Sequence, residues 1–198
     1  MKKIPKGKFG YTLSHRKWQI AKTLLYVVLA LSVFLLGFLT TKTTKNLLSI
    51  VAIVGALPIS KELVGVIMSF KRKPMDVAMY EEISKKAGNL EQIYELLFTT
   101  SDTGYPIEAV IIEGRDVICY SADSRCDVMK LQQHLINILK ANDYKENVKV
   151  YTDYKKFLDR VGDLARRTPE DIPYKVSTIY PDLNRNQLIK HTLLAISI

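Results

Sequence analysis

The residues best placed to do chemistry are Lys61 and Glu62, two adjacent ionisable groups inside an otherwise apolar run from Leu47 to Phe70. A charge within hydrocarbon costs a few kcal/mol, and residues of this kind mark ion paths, proton relays or contacts between subunits. Neighbours on a helix point about 100° apart, so the two cannot pair well with one another. Two readings follow. In the first, the run ends near Ser60 after a kink at Pro58, and residues 61–73 form an interfacial amphipathic helix whose lysine reaches the headgroups. In the second, Lys61 and Glu62 meet partners on another subunit, because the polar residues of the apolar runs themselves, such as Ser32, Ser49 and Ser60, are not ionisable. The first is the expectation here.

A second set of charges brackets the apolar runs. Lys17 and Lys22 precede the first, and Lys71, Arg72 and Lys73 follow the second, where each can contact an anionic lipid headgroup for about 1 kcal/mol. Ser124-Arg125-Cys126 puts a thiol beside a cation at an expected helix start, which favours thiolate, but no histidine accompanies it. Cys119 and Cys126 are expected to be structural, reduced thiols. No zinc spacing, phosphate loop, HExxH or GxSxG motif occurs, so no catalytic residue, cofactor or metal is expected.

These residues are positioned by two long apolar runs. Leu24 to Thr41 holds 18 residues without an ionisable group, roughly 27 Å of helix and close to a hydrocarbon thickness. It is too long for a signal-peptide core, and no small-x-small site follows it. The expected organisation is a basic N-terminal segment, 1–22, a transmembrane helical hairpin, 23–73 (spans about 23–41 and 47–70), and an α/β domain, 74–198. Residues 1–73 carry 13 Lys or Arg against one acid, whereas 74–198 carry 16 against 19, so the overall +9 divides into +12 and −3. The positive charge therefore orients the hairpin, with both termini cytoplasmic at an inner membrane of bacterial type. It does not make a nucleic-acid footprint, and no nucleic-acid partner is expected.

In the domain, Asp76 and Gly88 bracket a helix, and runs at 93–100, 107–113 and 116–121 form a β-meander with tight turns. Asp123 or Ser124 is expected to cap a helix carrying Val128, Leu131, Leu135 and Leu139. A strand at 147–152 and a helix capped by Asp153 follow, then a helix from Asn184 to His191 and an unassigned LLAISI tail. The fold class is thus α+β, a mixed α/β cytoplasmic domain with a β-meander and flanking helices behind a two-helix transmembrane hairpin.

The order helix, three-strand meander, helix, strand, helix resembles the core of restriction-endonuclease-like domains. That resemblance implies an acid on one strand and a Glu-x-Lys pair on the next, holding a metal. The nearest match is Glu113-Gly114-Arg115, with Asp102 or Glu108 upstream, but it falls in an expected turn and places arginine where the family has lysine. A non-catalytic role is therefore expected: binding of another protein, or self-association, at the membrane surface, with membrane lipid as the other partner. The alternatives are a membrane-tethered nuclease-like or hydrolytic domain, and an oligomerising, pore-forming effector.

Overall fold

The computed structural model describes residues 4–43, 47–71, 73–100, 103–168, 172–174 and 180–197, without the side chains of residues 49, 52, 68 and 71. The chain divides into two compact units, one of Met1–Ile4 with Tyr11–Pro74 and one of Pro5–Gly10 with Met75–Ile198.

The first unit is a helix pair, α1 (Tyr11–Thr41) and α2 (Leu47–Lys71). The helices run antiparallel, because Arg16 Nη2 donates to the Ser69 carbonyl at 2.9 Å while Lys22 meets Glu62. Gly65 permits the approach, since a Cβ there would stand 3.2 Å from Gln19 Nε2. Outward-facing Leu24, Leu29, Leu39, Ile53, Leu57 and Val64 are exposed, so the apolar surface of the pair is not covered by the rest of the unit. Among the described residues α1 is the one helix long and apolar enough to cross a membrane. Helix α1 starts at Tyr11, well before the apolar run, and α2 runs as one helix through Pro58 and Lys61-Glu62 to Lys71. Loss of one i→i−4 bond at an internal proline bends or weakens a helix without obliging it to stop.

The second unit is a four-stranded sheet in the order β1 (Glu91–Thr99), β2 (Gly104–Glu113), β3 (Asp116–Tyr120), β4 (Asn147–Tyr151). The first three form the antiparallel meander, and β4 lies parallel to β3 after the crossover helix α4 (Val128–Ala141). Helices α3 (Val77–Ala87) and α5 (Tyr154–Ala165) cover one face, whereas α4 and α6 (Arg185–Ile196) cover the other. Leu131, Leu135 and Leu139 of α4 are fully buried against Val110, Val117 and Cys119, each contributing about 1.5–3 kcal/mol of transfer free energy. Both sheet faces are therefore dry, which is why β2 reads as continuously apolar.

Caps set the helix starts. Asp76 accepts from Ala78 N, and Asp153 accepts from the backbone of Lys155 and Lys156. For α4 the cap is Asp127, which accepts from Lys130 N at 3.0 Å, and not Asp123 or Ser124. Asp123 closes its own turn on Arg125 instead. The C-terminal helix continues past His191 to Ile196, and Ser197 then bridges to Phe98.

One segment joins the second unit from outside the expected domain. Gly7 carbonyl accepts from Tyr94 N on the β1 edge at 2.9 Å, Phe9 stacks on Tyr80 with centroids 4.2 Å apart, and Lys6 Nζ donates to the Leu194 carbonyl at the end of α6. Residues 5–10 are thus a strap on the sheet edge and not part of a free basic tail. Gly7 and Gly10 both have positive φ, 82° and 80°, which glycine adopts at little cost.

Candidate functional site

In the helix pair, one stripe of polar residues lies inside while large apolar residues face outward. Thr12, Arg16, Gln19 and Thr23 recur at spacings of four, three and four, placing them along one stripe of α1. Thr12 and Thr23 on α1 and Ser69 on α2 are buried. Gln19 Oε1 and Thr23 Oγ1 are buried without a hydrogen-bond partner in the structure. At the end of this stripe Lys22 Nζ contacts Glu62 Oε1 at 2.7 Å. Glu62 therefore has an ionisable partner in its own chain, Lys22, which the sequence reading did not count among the polar residues of the helix pair. Because α1 begins at Tyr11, Lys22 is helical, and the antiparallel register brings it level with Glu62. Lys61, in contrast, is exposed on the outer surface of α2, as are Lys17 on α1 and Lys73 beyond α2. Arg72 and the side chain of Lys71 lie outside the described residues.

In the second unit, a cavity of about 160 Å³ opens at the β2–β3 turn, lined by Glu113, Arg115, Asp116, Asn147, Arg167 and Thr168 among others. The turn is tight: Glu113 pairs with Asp116, Gly114 has a φ of 57°, and Asn147 N donates to the Arg115 carbonyl at 2.7 Å. Arg160 Nη2 and Arg167 Nη1 both donate to Asp116 Oδ2, at 2.9 and 2.8 Å. Arg185, the first residue of α6, bonds the Gly114 carbonyl and the Glu146 carboxylate, so it ties that helix to the turn. The Glu146 carboxyl is pushed up by burial, against the opposing pull of Arg185 and Arg115. The Glu113-Gly114-Arg115 triplet thus forms the wall of a cavity rich in arginine. Asp102, the upstream acid, lies outside the described residues.

The opposite end of β2 and β3 is polar but occupied. Glu108 Oε2 accepts from Ala122 N at 2.8 Å, and Ser121 Oγ donates to the Pro106 carbonyl. Glu95, at a φ of 54°, accepts from Met75 N. Burial raises the Glu108 carboxyl pKa. The Cys126 thiol is also raised, first by burial and then by Asp123, Asp127 and Glu108, although a bond from Ser121 lowers it. Arg125 turns to Asp123, so the thiolate-favouring arrangement expected at this helix start does not form. Cys119 is buried and pushed up to about 12. Among the described residues no three His, Cys, Asp or Glu side chains converge as a metal site.

The cavity was not found in the sequence because Asp116, Arg160 and Arg167 are far apart in the chain. Their only advance signal was the doubled arginine after α5, which reads equally well as a helix-dipole partner. Comparison of the chain with protein families, with characterised proteins and with solved structures found no match, so the likeness to restriction-endonuclease-like domains rests on element order alone.

Proposed function

We propose that this chain is a membrane-anchored binding protein, whose two apolar helices cross the bilayer as a hairpin and whose α/β unit engages another protein at the membrane surface without catalysis. The observation that carries the reading is the strap. Residues 5–10 and 75–198 flank the helix pair in the chain, yet they pack into one folded unit, so both lie in one compartment. If α1 crosses a membrane, the chain must cross back before Met75, and α2 is the segment available to do so. The exposed leucines and isoleucines of both helices, with Thr12, Thr23 and Ser69 buried, suit a lipid exterior better than water. The excess of lysine before α1 and after α2 favours a cytoplasmic α/β unit.

Single cysteines test this in a background carrying Cys119→Ala and Cys126→Ser. Thr43→Cys should react with an impermeant thiol reagent in intact cells, whereas Lys8→Cys and Lys145→Cys should react only after permeabilisation. Labelling of either of the latter two from outside, or protection of Thr43→Cys, would refute the hairpin topology.

A further inference from the structure

We propose that the cavity at the β2–β3 turn binds a phosphate-bearing ligand, gripping the phosphate group between Arg115 and Arg167. Two guanidinium groups, Arg115 and Arg167, line it with two carboxylates, Glu113 and Asp116, and a third guanidinium, Arg160, lies outside the lining but pairs with Asp116. Asp116 is thus neutralised twice over, which leaves the cluster with a positive charge that favours an anion over a cation.

Both carboxylates already have hydrogen-bond donors. Asp116 accepts both Arg160 and Arg167 through a single oxygen, and Glu113 accepts from Asn186 Nδ2 at 3.2 Å. Each guanidinium carries five N–H donors in a planar fork, and Arg160 and Arg167 each spend only one on Asp116. Asp116 therefore orients the two arginines without exhausting them, which is how a neighbouring carboxylate preorganises a cationic site. The guanidinium of Arg115 makes no ion pair among the described residues, while its backbone is fixed by Asn147 N and by the turn itself. Thr168 and Asn147 add a hydroxyl and an amide to the wall.

Size narrows the ligand. About 160 Å³ is room for roughly five water molecules at ~30 Å³ each, enough for one phosphate and its ester oxygen. It falls well below the ~300 Å³ at which pockets enclose drug-sized molecules, so the remainder of the ligand lies outside. A tetrahedral group with three terminal oxygens matches guanidinium forks arriving from two sides better than a planar carboxylate does. Such a phosphate can belong to a lipid headgroup or to a soluble ester. The proposal stands independently of the hairpin topology.

The test uses the full chain in a non-ionic detergent and phosphate-free buffer, with thermal unfolding followed against inorganic phosphate. A saturable rise in Tm, absent with chloride at matched ionic strength, is expected. Arg115→Gln and Arg167→Gln should each weaken the apparent affinity about tenfold, and Asp116→Asn, which removes the group that orients Arg160 and Arg167, should weaken it by a smaller factor. Short-chain phosphatidic acid that displaces inorganic phosphate, where phosphatidylcholine of the same chain length does not, would assign the phosphate to a lipid. Failure of phosphatidic acid to compete would assign it to a soluble ester. A response to phosphate no larger than that to chloride, or one that survives both arginine variants, would overturn the proposal.

Discussion

Replacing Arg185 by methionine should be among the most damaging single changes in the α/β unit, and its damage should depend on pH. The Glu146 side chain is fully buried, and its Oε2 has no hydrogen-bond partner, so Arg185 supplies most of what holds the charge there. Removing one member of a buried pair costs about 3–5 kcal/mol, because it strands the other charge. For a unit of this size each kcal/mol lowers Tm by roughly 3–5 °C, giving a fall of about 10–20 °C at pH 7.5. The sign with pH follows from Glu146. Its folded pKa already lies above the ordinary glutamate value, and loss of Arg185 raises it further. A raised carboxyl contributes its stability at pH below its unfolded pKa and loses it as pH rises through the folded one. The Arg185→Met deficit should therefore be largest at neutral pH and shrink toward pH 4. Adding Glu146→Gln should recover at least half the loss at pH 7.5, since no buried charge remains. Circular dichroism melts of the full chain in mild detergent at pH 7.5 and 4.5 measure all three. A deficit below about 1 kcal/mol, one that does not change with pH, or one that Glu146→Gln fails to relieve would refute the reasoning.

Gly7→Ala would place a Cβ 2.6 Å from Leu194 Cδ2 and 2.8 Å from Ile93 Cγ2, at a φ that alanine avoids. The strap should loosen by about 1–3 kcal/mol, and hydrogen exchange at the Tyr94 amide should quicken at least fivefold. Leu135→Ala empties the centre of the α4 contact and should cost about 2–5 kcal/mol in urea unfolding. Lys22→Glu and Glu62→Lys should each make the helix pair more protease-sensitive, and the combined swap should restore resistance; an unimproved double variant would mean that the pair does not join the helices. With N-ethylmaleimide at pH 8, Cys119 should stay unmodified in the folded chain and Cys126 should react more slowly than an ordinary thiol, as mass spectrometry after pulse labelling would read.

Local chemistry made much of the α/β unit legible in advance. Asp76 and Asp153 announced helices because a short acceptor before an apolar period satisfies the open N–H groups at that position, and Gly114 announced the β2–β3 turn. Asp127 was missed because Asp123, Ser124 and Asp127 are all competent caps, and only packing of the α4 leucines decides among them. The β1 strand was ambiguous for a related reason. Leu90, Ile93 and Leu97 stand at helical spacing, whereas in the structure the segment is a strand with a positive φ at Glu95 whose Ile93, Leu96 and Phe98 share one core. The pairing of Glu62 depended on interhelical register, which no apolar count reports, and the cavity depended on arginines brought together by α5. Nor did the strap show itself, since two lysines and two glycines near a terminus read as a tail when their partners lie beyond two helices.

The strap also sets an order of events during synthesis. Residues 5–10 are made before their partners, Tyr80 on α3, Tyr94 on β1 and Leu194 on α6, all of which follow both apolar helices in the chain. Until then the segment has nothing to bind, and the helix pair is a loop waiting to be closed. Docking of the strap thus waits for residues as late as Leu194. It brings together the two stretches that precede and follow Tyr11–Pro74 in the chain. A chain whose strap failed to dock would leave the β1 edge uncovered there, presenting an unpaired backbone amide at Tyr94.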